Sequence, residues 1–304
     1  MTQRTRLMLV DVETERRRAE ESCAAMLARH ADALLGPEHP LAREAQGILD
    51  ALVNVVGAGA AREWTLRVVQ EEGVANACVL ADGSVWIFTG LLRSLYQMEN
   101  PHLSMEEADK AFQAWIQHDL AAQSSCTNVQ APGVIFSDTL AAVLAHEIAH
   151  VLSRHSAEDY GLSQLFQVLS DAFHGLLYTV SLNLPLLSDV AGRGVDAVAP
   201  YLSTLPYSRL MEMEADVVGL FLMAVAGYNP GRAIELWKYL AMQQHQQKGA
   251  AFLEFTSSHP SHERRASELM KHYGAAMEIY HAHKRIEDAL RMHLKRKLEI
   301  SKKR

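Results

Sequence analysis

Residues 141–150 read AAVLAHEIAH and contain the pattern His-Glu-x-x-His at His146, Glu147 and His150. Because residues four apart share one face of an α-helix, both imidazoles can reach the same zinc ion. Glu147 is about 100° round the helix from His146, where its carboxylate can take a proton from a water held at the metal. The bare pattern also arises by chance, and the two residues are then ordinary helix histidines. A third ligand decides between these interpretations.

The third ligand is predicted to come from a later helix. A metzincin would place a histidine ten residues after the first, but Ser156 stands there and His155 is out of register, which favours a packing or surface role for it. A gluzincin instead uses a glutamate that is followed four residues later by an aspartate. Residues 208–223, SRLMEMEADVVGLFLM, supply this pair as Glu212 and Asp216. We predict that Glu212 binds the metal and that Asp216 hydrogen-bonds a ligand histidine and fixes its tautomer.

A solvated acidic face is the alternative explanation for these two carboxylates. The residues around them are apolar, and unpaired carboxylates are rare in such surroundings. These neighbours are Leu210, Met211, Met213, Ala215, Val217 and Val218. Glu214 lies about 200° round the helix from Glu212 and is expected to point elsewhere. The two segments together therefore predict one zinc ion per chain.

Four blocks of the sequence resemble those of the OMA-type zinc metallopeptidases, relatives of HtpX and of the CAAX prenyl protease. The blocks are HEIAHVLSRHSAE (146–158), SRLMEMEAD with GLFLMAVAGYNP (208–230), SSHPSHERR (257–265) and NACVLADGSVWIFTGLL (76–92). They stand in the family's order and span most of residues 60–270. The resemblance implies a zincin-like (gluzincin) metallopeptidase domain.

Function and location follow from the same resemblance as expectations. It implies a zinc-dependent endopeptidase that cleaves membrane or misfolded proteins of the mitochondrial inner membrane in quality control and stress response. Its partners would be polypeptide substrates, and the sequence is compatible with assembly into a homo-oligomer. One alternative is a bacterial-type periplasmic relative in outer-membrane protein quality control. The other is a catalytically latent zinc adaptor, although a purely structural zinc site has no use for the base Glu147.

Three further site residues are implied by the resemblance. Asn76 and Ala77 mark an edge strand beside the cleft, where a substrate backbone would bind by strand addition. The alternative is that Asn76 only shapes the end of the strand. His259, in a His-Pro pair, is implied to lie near the zinc and to stabilise the oxyanion that forms during attack. Its alternative role is to cap a loop, which Arg264 and Arg265 are expected to orient through salt bridges.

The pattern along the chain predicts an α+β fold, mostly helical with a small antiparallel sheet. Strand-like segments at 64–70, 74–80 and 84–89 precede the zinc helix, and Asp82-Gly83 is a strong hairpin signal. We divide the chain into three parts. These are an N-terminal helical segment (1–60) packed on the catalytic domain, the metallopeptidase domain (61–270), and a basic C-terminal helix (271–304).

Two segments inside the metallopeptidase domain each allow two interpretations. Residues 93–136 form an insertion with a helix from about Ser104, interpreted as a surface addition or, alternatively, a lid over the active site. Residues 162–192 are the most apolar part of the chain but fall short of a span of about 20 apolar residues. We interpret them as a membrane-contacting segment or as a buried or partner-contacting helix pair.

Composition narrows the functional classes. Hydrophobic residues make up 49% and charged residues 21% of the 304 residues, which is ample material for a core. The net charge of −7 argues against a nucleic-acid partner. The cysteines Cys23, Cys78 and Cys126 lack metal-site spacing. Residues 1–10 contain no apolar signal region. Their sequence, MTQRTRLMLV, resembles the internal start of the OMA-type catalytic region, so we expect any presequence or N-terminal anchor to have been removed or to lie outside this chain.

Overall fold

A computed structural model describes residues 4, 6–57, 62–116, 137–181, 209–245 and 262–302 of the chain. The helices are α1 (Val12–His30), α2 (Pro40–Asn54), α3 (Thr89–Glu99), α4 (Met105–Ile116), α5 (Ser137–Leu152), α6 (His155–Ser181), α7 (209–225), α8 (Gly231–His245) and α9 (His262–Lys302). The strands are β1 (Thr65–Val69), β2 (Ala77–Val79) and β3 (Ser84–Phe88). The predicted fold class, α+β and mostly helical with a small sheet, is confirmed.

The sheet has the order β1-β3-β2, with β3 buried along its whole length. β2 and β3 form the predicted antiparallel hairpin, and Gly83 adopts the left-handed φ of 98° that its turn requires. The prediction of a wholly antiparallel sheet is wrong for the other pair, because β1 runs parallel to β3. The hairpin folds β3 back between β1 and β2, which run in opposite directions. A strand antiparallel to β2 must then be parallel to β1.

Helix α5, which carries the His-Glu-x-x-His pattern, is the centre of the core. Every side chain from Thr139 to Ala149 is buried, because α5 packs against α2, α3, α8 and β2. Helix α2 contributes Leu41, Leu49 and Leu52 to the same hydrophobic cluster. The N-terminal helical segment therefore shares its core with the segment that carries the candidate site.

Helix α4 begins where the sequence predicts, directly after Ser104. The Ser104 backbone N–H donates to Glu107 Oε2 (2.9 Å), and the Glu107 N–H donates to Ser104 Oγ (3.3 Å), a reciprocal capping box. Phe112 and Trp115 bury their rings in the main core. Up to Ile116 this segment is thus part of the packed fold, while residues 117–136 of the predicted insertion lie outside the described residues. The lid hypothesis stays a prediction.

Helix α6 exposes part of its apolar surface. Val168 is 63% exposed, Leu169 56% and Phe173 40%. In the part of the chain that the structure describes, no helix is both long enough and apolar enough to cross a membrane. The remainder of the predicted 162–192 segment, from residue 182, lies outside that part.

Helix α7 crosses α5 at Gly219, and the crossing fixes where its acidic residues lie. A Cβ on Gly219 would lie 3.0 Å from the backbone nitrogen of His146 and 3.1 Å from the carbonyl carbon and oxygen of Ala145. These neighbours are backbone atoms of a buried helix, so they cannot rotate away as a side chain could. Glycine at this position therefore brings α7 close to the His-Glu-x-x-His pattern.

Replacing Gly219 by Ala is expected to destabilise the fold by about 1–3 kcal/mol, because the added methyl group overpacks the helix crossing. The matched control is Gly274→Ala in α9, where a new Cβ would meet nothing within 4 Å. That change is expected to stabilise the fold by up to about 1 kcal/mol through helix propensity alone. Urea unfolding measures both variants, and equal stabilisation by the two would refute the close crossing.

Candidate metal centre

The structure brings together the three residues that the sequence predicts as zinc ligands. His146 and His150 project from α5, and Glu212 reaches them from α7. The two histidine Nε2 atoms are 3.1 Å apart. Glu212 Oε2 lies 3.3 Å from His146 Nε2, and its Oε1 lies 3.4 Å from His150 Nε2. Among the described residues, these three place their donor atoms within 4.8 Å of one another.

The geometry and chemistry of this cluster fit a zinc ion. Two ligands on one tetrahedral zinc, each about 2.0–2.1 Å from the metal, are separated by about 3.3–3.4 Å. The observed separations of 3.1–3.4 Å agree with this value. Two imidazoles and one carboxylate also form the ligand set of catalytic zinc sites that keep a fourth position open. The residues present can therefore hold the ion.

Asp216 lies one helical turn after Glu212 and contacts the first histidine. Its Oδ1 is 3.1 Å from His146 Nδ1, the nitrogen that faces away from the cluster. Arg265 donates two hydrogen bonds of 2.7 Å to the same carboxylate. Burial alone would raise the pKa of Asp216, but the charge and hydrogen bonds of Arg265, with His146, lower it below its ordinary value. The carboxylate is thus held ionised, as an acceptor for the Nδ1–H of His146.

Arg265 is a buried cation that contacts two acidic residues contributed by α7, Asp216 and Glu212. Its side chain is 1% exposed, and its guanidinium carbon lies 3.5 Å from the ring centroid of Trp237. Besides Asp216, it contacts Glu212 Oε2 at 3.0 Å. Stacking on an indole and pairing with two carboxylates offset the cost of burying the charge. Arg265 thereby links α9 to the acidic face of α7.

Glu147 is buried beside the cluster, with 5% of its surface exposed. Burial raises the pKa of its carboxyl group, while the charges of the neighbouring His146 and His150 act in the opposite sense. A raised pKa brings a carboxylate closer to the range in which it is an effective proton acceptor. The position and the direction of this shift both suit the predicted base.

Comparison with known proteins identifies the family. The protein-family model of Peptidase family M48 matches residues 41–272, which include α5, α7 and the start of α9. This chain belongs to Peptidase family M48. The predicted resemblance to OMA-type zinc metallopeptidases is confirmed at the level of the family.

Several curated relatives of this M48 chain are mitochondrial metalloendopeptidases named OMA1. The Schizosaccharomyces pombe protein is 27% identical over 269 residues, covering 88% of this chain and 64% of the relative. The Arabidopsis thaliana protein is 32% identical over 206 residues, covering 68% and 31%. The human protein is 25% identical over 218 residues, covering 71% and 33%. The M48 chain therefore spans less than two thirds of the length of each of these relatives.

The M48 chain places β2, with Ala77, at an edge of the sheet beside α5. Asn76 immediately precedes this strand. Its side-chain Oδ1 accepts the N–H of Ala77 (2.9 Å), and its carbonyl oxygen accepts the N–H of Phe88 (3.0 Å). These contacts give Asn76 a part in shaping the start of the strand. A role of either residue in binding substrate stays a prediction.

Several other predicted positions have clear outcomes in the M48 chain. Glu214 points away from the cluster, as predicted, and contacts Arg4, Arg6 and His155. His155 is 3% exposed and is thus a packing histidine, one of the two roles that the sequence left open. His259 lies within residues 246–261, outside the described residues, and so does the loop that the arginines were expected to orient.

Proposed function

We propose that this M48 chain is a zinc-dependent endopeptidase, with one zinc held by His146, His150 and Glu212. The observation that carries the proposal is that the side chains of these three residues converge beside the buried carboxylate of Glu147. A zinc ion in this site would polarise the scissile carbonyl and lower the pKa of a water molecule. With only two imidazoles and one carboxylate as protein ligands, a coordination position would stay open for the water molecule or the carbonyl oxygen.

The chain's own residues then carry the proton. Glu147 takes a proton from the attacking water and delivers it to the leaving amine, which is the work of a general base that becomes a general acid. Asp216 holds His146 in the tautomer whose Nε2 is free to bind the metal. Arg265 keeps Asp216 ionised. The reaction class is hydrolysis of a peptide bond inside a polypeptide.

Strand β2 offers the place for the substrate backbone. It is an edge strand of the described sheet, it contacts α5, and its first residue is Ala77. An extended polypeptide that pairs with this edge would bind to a strand that contacts α5, the helix that carries Glu147. We propose Asn76 and Ala77 as the residues that mark this binding strand, and His259 as the donor to the oxyanion. The last assignment rests on the resemblance of the His-Pro block.

The proposed setting is the mitochondrial inner membrane, with membrane or misfolded proteins as substrates in quality control. The relatives are named as mitochondrial metalloendopeptidases, which supports the compartment. The exposed apolar side chains of α6, among them Val168 and Leu169, support contact with a membrane through this helix.

The experiment that tests the function is digestion of an unfolded, casein-like protein by the purified chain loaded with zinc. Internal cleavage is expected, seen as fragments of intermediate size whose new termini mass spectrometry identifies. Chelation of the zinc is expected to stop the reaction and its return to restore it. A zinc-loaded, folded chain that yields no fragments would overturn the proposal in favour of a zinc adaptor.

A further inference from the structure

The outward nitrogen of the first ligand histidine, His146, contacts the carboxylate of Asp216, whereas that of the second, His150, contacts another imidazole. The Nδ1 of His150 instead lies 2.9 Å from the Nδ1 of His155, the first residue of α6. The two rings meet edge to face, with centroids 4.8 Å apart and an interplanar angle of 77°. A hydrogen bond between these nitrogens requires one imidazole to donate and the other to accept.

The direction of this hydrogen bond follows from the metal site. Nε2 of His150 faces His146 and Glu212, so binding zinc leaves the proton of the neutral ring on Nδ1. His150 then donates to His155 Nδ1, and His155 carries its own proton on Nε2. That nitrogen lies 3.2 Å from Glu214 Oε2, which accepts it. The result is a continuous chain from the ligand through a second imidazole to a carboxylate.

Two arginines of the N-terminal segment bind Glu214, the carboxylate at the end of this series of hydrogen bonds. Arg4 Nε donates to Glu214 Oε2 at 3.0 Å, and Arg6 contacts Oε1 of the same carboxylate. Arg4 also donates to both oxygens of Glu158 on α6, at 2.8 and 2.5 Å. Arg6 donates to the carbonyl oxygen of Ser153, just after α5, at 2.5 Å. Glu214 and Glu158 are both buried, so the two partly exposed arginines neutralise carboxylates that are themselves shielded from solvent.

We propose that His155 is a positioning residue for the metal ligand His150, acting through the chain His150–His155–Glu214 that Arg4 and Arg6 complete. This inference rests on the zinc site proposed above. Each ligand histidine is then connected by hydrogen bonds to a carboxylate that arginine binds. His146 contacts its carboxylate directly, and His150 reaches its carboxylate through His155. Helix α7 supplies the metal ligand Glu212 and both carboxylates.

The proposal is tested by zinc affinity, measured by competition with a chromophoric chelator and without any peptidase assay. His155→Phe keeps the ring's bulk and removes both nitrogens, and it is expected to weaken zinc binding by about 10–100-fold. His155→Gln offers a carbonyl to His150 and an amide to Glu214, so its loss is expected to be smaller. The control His174→Phe makes the same change on α6, where the histidine contacts Ser170, and should leave zinc affinity unchanged.

A second measurement covers the case in which the phenylalanine variant does not fold. In the unchanged, zinc-loaded chain, ¹⁵N-¹H correlation spectra of the imidazoles are expected to show a proton on His150 Nδ1 and one on His155 Nε2. The opposite tautomer of His155 would overturn the proposal, as would unaltered zinc affinity in a folded His155→Phe chain. A chain that binds no zinc at all would overturn the proposed function as well.

Discussion

Replacing Glu147 by Gln is expected to lower kcat for peptide hydrolysis by about 10²–10⁴-fold while the zinc stays bound. The amide fills the same space as the carboxylate, but it cannot take a proton from the attacking water. Glu147 is not one of the three clustered donors, so its replacement leaves the ligand set intact. Steady-state kinetics on a quenched-fluorescence peptide, with metal analysis of the same sample, measures both effects.

The control for this variant makes the same chemical change at an exposed site. Glu106 lies in the first turn of α4 and pairs with Lys110 on the surface. Glu106→Gln is expected to retain full activity and full zinc content. If Glu147→Gln kept more than about a tenth of the unchanged kcat, the assignment of the base would be wrong.

Replacing Arg265 by Leu is expected to lower the free energy of unfolding by about 3–5 kcal/mol, because it leaves buried carboxylates without their cation. Asp216 would lose two hydrogen bonds of 2.7 Å, and Glu212 would lose a contact of 3.0 Å. Leucine keeps an apolar contact with Trp237 but no charge. Urea unfolding of the metal-free chain isolates this effect from the stabilisation that bound zinc adds.

The neighbouring arginine provides the control. Arg264 is exposed, so Arg264→Leu is expected to change the free energy of unfolding by no more than about 0.5 kcal/mol. Arg265→Lys should fall between the two, since it keeps a positive charge but cannot form both hydrogen bonds to Asp216. Equal stabilities of the Arg264→Leu and Arg265→Leu chains would contradict the role given to Arg265.

The helix that carries the site could be predicted because the evidence for it lies in the spacing of residues that are close together in the sequence. The spacing of His146 and His150 places them on one face of a helix, and that of Glu212 and Asp216 does the same on another. Apolar neighbours in both segments indicate burial. The meeting of these two helices was inferred from the chemistry of a shared metal, and the structure places their side chains within contact distance. Their role as ligands stays a prediction.

The supporting residues could not be predicted because they depend on tertiary packing. Arg265 is 49 residues from Asp216, and Arg4 is 210 residues from Glu214. No periodic pattern connects positions so far apart. His155 was out of register for a metal ligand, and only the fold shows that it contacts the outward nitrogen of His150. Arg265 and His155 lie in the sequence blocks SSHPSHERR and HEIAHVLSRHSAE. Their position in these family-like blocks was the feature of the sequence that could have pointed to a role at the site.

The sheet shows the same division between local and distant information. The turn at Asp82-Gly83 is a local signal, and the hairpin that it predicts is present. The parallel pairing of β1 with β3 joins segments separated by the whole of β2. Alternation of side chains predicts a strand but does not specify its neighbour.

X-ray absorption spectroscopy at the zinc edge, on the purified chain with its metal counted, tests whether His146, His150 and Glu212 hold a zinc ion. We expect about one zinc per chain with only nitrogen and oxygen neighbours, at about 2.0–2.2 Å, and with imidazole scattering from two histidines. A chain that takes up no zinc would refute the proposed metal site. So would sulfur neighbours at about 2.3 Å, which would place the metal on cysteines instead of His146, His150 and Glu212.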